Sequence, residues 1–115
     1  MLIAGFDAGQ TSTRCRISHW NGASWISSGE GSGPGVSHLA APGGRERFVH
    51  AIRCSAAEAL GSSPNSELDA AVVGASGIEK ETRLQASACQ LLAETLQLPL
   101  ARVNVTGDEC TALRG

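Results

Sequence analysis

The hydrophobic pattern of this chain changes period near residue 45, and that switch restricts the fold more than any other feature. Before it, residues 2 to 6 form a short apolar run, and "TRCRISHW" (13–20) alternates with Cys15, Ile17 and His19 on one face. Alternation with a period of two is the mark of a half-buried strand. Asn21-Gly22 then supplies a hairpin turn, because both residues tolerate the positive φ that a tight turn demands, and "SWISSG" reads as a third strand. After the switch, Phe48, Ile52, Ala56 and Leu60 recur at spacing four, which predicts a helix over 45–60 ended by Gly61. Residues 29 to 44, rich in glycine, are expected to be loop between the two regimes.

The remainder alternates element types. "LDAAVVGAS" is a valine-rich run that fits a strand covered on both faces. A second helix is predicted over 82–97, with Leu84, Ala88, Leu91 or Leu92, and Leu96 inward, and Pro99 stops it. "ARVNV" reads as a fifth strand, and "GDECTALRG" as the first turns of a further helix. Strand–helix–strand alternation requires parallel strands joined by crossovers. The expected fold is therefore α/β: a mixed five-stranded sheet, three antiparallel strands then parallel βαβ units, with flanking helices.

Composition narrows the function classes. The net charge of −2 leaves no basic footprint for nucleic acid. Cys15, Cys54, Cys89 and Cys110 contain no closely spaced pair, so no zinc site is expected, and His19, His38 and His50 show no metal spacing. "MLIAGF" lacks the basic start of a signal peptide, and no apolar run reaches membrane-spanning length. Free thiols in the cytoplasm, away from membranes, are the expectation.

Four stretches carry chemistry: "GFDAGQTSTRCRI", "GEGSGPGVSHL", "VVGASGIE" and "VNVTGDECTALRG". In the first, backbone N–H groups of the turn after Asp7 make a possible anion nest. Asp7 itself repels phosphate, so in a phosphate-binding reading it is expected to hold Mg²⁺ through water. By residues alone the stretch is equally a hairpin whose aspartate closes an Asx-turn. By residues alone the second stretch reads as a surface loop, and the third as an ordinary strand exit. In the last, Asp108 is either a general base or the cap of the following helix. A Walker loop is excluded, because the chain's one lysine is Lys80, and the glycines at 29–35 fail the dinucleotide pattern.

In family order and across almost the whole chain, these stretches resemble the N-terminal lobe of the actin-like, ribonuclease H-like ATPases. Within that superfamily they resemble the BadF/BadG ATPase and N-acetylglucosamine kinase family. The resemblance implies that residues 1–115 form an N-terminal lobe without its C-terminal partner lobe, so the lobe alone is expected to be inactive. It implies ATP and Mg²⁺ as cofactors, with Asp7, Gly9, Gln10 and Thr11 cradling Mg²⁺-phosphate. Ser37, His38, Ser76 and Gly77 would line the site of a sugar acceptor, and Asp108 would take the acceptor hydroxyl's proton. The family pattern D-G-G-G-T-K-T has its lysine where this chain has Ser12, which removes a charge contact. The implied function is an ATP-dependent sugar kinase. The alternatives are an ATPase that activates a partner reductase or dehydratase, and a non-catalytic lobe that self-associates as a homodimer.

Overall fold

The computed structural model of the 115-residue chain describes residues 2–37, 41–61, 68–75 and 82–106. Strands β1 (Leu2–Ala8), β2 (Ser12–Trp20) and β3 (Trp25–Pro34) form the expected antiparallel meander. Helix α1 (Gly44–Leu60), strand β4 (Ala70–Ala75), helix α2 (Thr82–Leu96) and strand β5 (Val103–Thr106) follow. A single 3₁₀ turn at Leu100–Arg102 leads into β5. The strand order across the sheet is β3-β2-β1-β4-β5, with β1, β4 and β5 mutually parallel. This is the mixed five-stranded sheet expected from the pattern of periods. Among the described residues, no helix is long and apolar enough to cross a membrane.

Alternation along the strands sends Ala4, Phe6, Ala8, Cys15, Ile17, Ala71, Val73 and Val105 into one core, where they meet Phe48, Ile52 and Ala56 of α1 and Ala88 and Leu92 of α2. Both helices therefore cover the same face of the sheet. The opposite face presents Asp7, Arg14 and Arg16, all exposed.

The glycine-rich segment is the main correction to the sequence reading. Residues 29 to 34 are strand, not loop. Gly29, Gly31 and Gly33 alternate with Glu30, Ser32 and Pro34, so the glycines share the face that α1 covers. A Cβ placed on Gly31 would overlap the backbone of Ser55 and Ala59. Ala51, Ser55 and Ala59 recur at spacing four, so a row of small helix residues lies along a row of strand glycines. The composition that resembles a loop is what permits the helix to lie this close. Ser55, buried in that contact, donates its hydroxyl to the Ala51 carbonyl of its own helix at 2.7 Å.

The hairpin turn forms at Asn21-Gly22, as a four-residue connection from Asn21 to Ser24 in which only Gly22, at φ +100°, takes a positive φ. Asn21 Oδ1 accepts the N–H groups of Ala23 and Ser24, both at 2.8 Å. Gly61 ends α1 at φ +51°, donating its N–H to Ala57 at 3.0 Å.

Candidate functional site

Parallel strands bring their carboxyl ends to one edge of a sheet, and ligand sites of open α/β sheets lie at that edge. Here Ala8 of β1 is in register with Ala75 of β4, and Gly74 with Thr106 of β5. The three parallel strands thus finish together. Gln85 of α2 ties this edge down, its side-chain N–H donating to the Val105 carbonyl at 2.7 Å. The β1–β2 turn, Gly9-Gln10-Thr11, projects from the same edge.

The turn is held from outside itself. Gly9 donates its N–H to the Ser12 carbonyl at 2.9 Å, while the Gly9 carbonyl accepts the N–H of Val36, also at 2.9 Å. Gly35 lies directly on the backbone of Gln10 and Thr11, so that a Cβ there would overlap them. The chain leaving β3 therefore straps the turn from behind. Among the described residues, the N–H groups of Gln10 and Thr11 have no backbone acceptor. Two adjacent, positioned donors at a strand edge have the chemistry of an anion site.

Asp7 stands two residues before the turn, within β1 rather than in the turn, and is exposed. Its register partners are Gly74 on β4 and Arg14 on β2. Its carboxylate closes no ion pair within 4 Å among the described residues, whose one salt bridge joins Arg16 to Glu30 at 3.0 Å. The Asx-turn alternative thus gives way to a strand aspartate open to solvent. Among the described residues no three metal-ligating side chains gather. A cation at Asp7 would be held by one carboxylate, water and ligand oxygens, which is the usual manner of Mg²⁺.

Of the predicted site residues, Asp7, Gly9, Gln10 and Thr11 come together at this edge. Ser37 follows directly on the strap at Val36. Its hydroxyl oxygen is buried and has no hydrogen-bond partner among the described residues. His38, Ser76, Gly77 and Asp108 lie outside the described residues.

Sequence reasoning missed two residues beside this group. Thr13 is fully buried next to Ala8, and its Oγ1 has no partner among the described residues. The only signal for Thr13 was its inward position in the same alternation as Cys15 and Ile17. Arg14 faces Asp7 across the strands, and its register became visible only with the pairing.

Two other polar features are structural. A shallow groove of about 340 Å³ lies between the starts of β4 and β5, lined by Asp69, Ala70, Arg102 and Asn104 among others. Its charged groups already engage the chain: the Asp69 carboxylate accepts the Leu2 N–H at 2.6 Å, and Arg102 donates to the Asp69 carbonyl at 3.4 Å. Cys15 is buried between Phe6 and Gly31, and burial pushes its thiol from 9.0 up to about 12.

No family model matches the sequence, and no curated protein matches it. Among solved structures, a glycerol dehydratase reactivase superposes with a TM-score of 0.47 at 17% identity, over 69% of this chain and 12% of that one. The chain thus matches about an eighth of that protein's length.

Proposed function

We propose that this chain is the nucleotide-binding N-terminal lobe of an actin-like ATPase, and within that class of an ATP-dependent sugar kinase. One observation carries the reading: the strapped Gly9–Thr11 turn offers two N–H donors that have no backbone acceptor among the described residues, beside the open carboxylate of Asp7. Donors for phosphate and a carboxylate for its cation are the two parts a Mg²⁺-nucleotide requires, and they sit at one edge.

In this reading the Gln10 and Thr11 N–H groups orient phosphate oxygens, and Asp7 holds water on the cation. The bound Mg²⁺-ATP supplies the phosphoryl group and the charge neutralisation that its transfer needs. Asp108 takes the acceptor hydroxyl's proton on its carboxylate. Ser37 and His38, with Ser76 and Gly77, line the acceptor site. The sugar assignment rests on the resemblance of these stretches, and the activity belongs to a protein that also has the second lobe.

Isothermal titration of this chain with Mg²⁺-ATP, beside Asp7→Asn, tests the phosphate site. Heat of binding that depends on Mg²⁺ and is lost in the variant supports it, whereas no binding contradicts it. ADP release by the longest gene product separates the enzyme classes. Release stimulated by amino sugars supports the kinase, and release indifferent to sugars supports an activator ATPase. A dimeric mass with no nucleotide binding would favour a self-associating module.

A further inference from the structure

Counted by residue type, the cysteines and histidines of this chain show no metal spacing; counted together, His50 and Cys54 stand one helical turn apart on α1. Residues four apart on a helix share a face, and two ligands at that spacing can chelate zinc from one helix. Here the side chains already meet. Cys54 Sγ lies 3.6 Å from Nε2 and 3.8 Å from Nδ1 of His50. Zn–S and Zn–N bonds of about 2.3 and 2.0 Å at a tetrahedral angle hold their ligand atoms about 3.6 Å apart. The helix that carries the pair is fixed to the sheet. A Cβ on Gly33 would stand 3.2 Å from the Cβ of Cys54, in the same glycine row that packs on Ser55 and Ala59. β3 ends the strand order on this side, so the pair stands over the sheet's edge, with His50 exposed and Cys54 partly so.

We propose that His50 and Cys54 form half of a tetrahedral site for Zn²⁺ or a cation of its class, the other half being the same pair from a second copy of this chain. The inference is independent of the phosphate-site reading. Thiolate and imidazole are the ligands such a cation prefers, and two of each make a closed structural zinc site. A two-fold axis between the pairs generates that set from one stripe of α1, because an isologous contact repeats the same residues on both sides. With the helices antiparallel, His50 of one copy faces Cys54 of the other. Glu46 and Glu58, each one turn further out on the same stripe, then face each other as like charges. That repulsion opposes contact between the bare helices, and the doubly charged cation offsets it, so the cation controls association. On coordination each Cys54 thiol releases its proton to solvent, and no electron is transferred.

The test titrates the whole chain with Co²⁺ and, separately, with Zn²⁺ under a phosphine reductant, for the wild type, Cys54→Ser, His50→Gln and Cys89→Ser. Co²⁺ should produce a thiolate charge-transfer band and the intense visible bands of a tetrahedral ion, saturating at one ion per two chains. Zn²⁺ should double the mass read by light scattering, and EDTA should reverse the change. Cys54→Ser should abolish both signals, His50→Gln should weaken them at least about tenfold, and Cys89→Ser should retain both. Circular dichroism of the metal-free variants checks that each is folded. His50 is exposed, so its variant carries the test even where Cys54→Ser does not fold. Absence of the thiolate band overturns the proposal, as does saturation at one ion per chain with unchanged mass. So do signals that persist in Cys54→Ser, or that keep wild-type affinity in His50→Gln.

Discussion

Val36 donates its N–H to the carbonyl of Gly9 at 2.9 Å, which joins the exit of β3 to the turn between β1 and β2. That bond takes the acceptor that a simple hairpin would use internally. It also sets Gly35 against Gln10 and Thr11, whose N–H groups have no backbone acceptor among the described residues. The anion-binding role proposed for the turn thus depends on the segment at Gly35 and Val36.

Gly35→Ala tests that dependence. The added methyl would overlap the backbone of Gln10 and Thr11, and neither is a flexible side-chain end. The variant should lose about 1–3 kcal/mol of stability, the usual cost of overpacking, measured by urea unfolding. Amide resonances of Gln10 and Thr11 should shift more than those of Trp20 and Trp25 at the far end of the hairpin.

Gly31→Ala decides between two opposed effects. Alanine in a strand relieves the chain entropy that glycine loses on folding, worth roughly 0.5–1 kcal/mol in its favour. At this position the methyl would overlap the Ser55 and Ala59 backbone, so α1 must lift from the sheet. Packing should win, with net destabilisation of about 2 kcal/mol or more in denaturant unfolding. A more stable variant would show that α1 does not lie on the glycine row.

The buried Cys15 thiol gives a pH dependence with a definite sign. Its folded value of about 12 lies above the 9.0 of a free thiol. Between those values the folded state keeps a proton that the unfolded state releases. Its contribution is therefore complete below pH 9 and is lost as pH rises towards 12. Relative to Cys15→Ala under reducing conditions, the wild type should lose stability on the order of 1 kcal/mol per pH unit above pH 9. The same burial predicts that Cys15 reacts with thiol reagents far more slowly than Cys54, which is partly exposed.

Asp108→Asn addresses the catalytic half of the proposal, in the two-lobe protein. Loss of a general base should lower kcat by about 10²–10⁴ with ATP affinity retained. Turnover near the wild-type rate would remove Asp108 from the chemistry.

The legible parts of the fold were those encoded by local period. Phe48, Ile52 and Ala56 are buried at the spacing that predicted them, and Ala88 and Leu92 likewise. The glycine strand was not legible, because residues 29–34 are extended through their pairing with β2 and their glycines are accommodated by the row of small residues on α1, beginning at Ala51. No local propensity carries that contact. The site divides in the same way. Asp7 and the turn were singled out from residue type and position, but the strap from Gly35 and Val36, the buried Thr13 hydroxyl and the opposition of Asp7 and Arg14 exist only once the strands pair. Thr13 illustrates the limit: in sequence it is one more residue of an alternating run, and only burial makes its hydroxyl conspicuous.

The most direct measurement is amide chemical-shift mapping of the uniformly ¹⁵N-labelled chain during titration with Mg²⁺-ADP. The account predicts saturable shifts at Gly9, Gln10 and Thr11, with Gly35 and Val36 following and the Asp69–Arg102 groove unchanged. Shifts confined to that groove, or none at the turn at millimolar nucleotide, would contradict it.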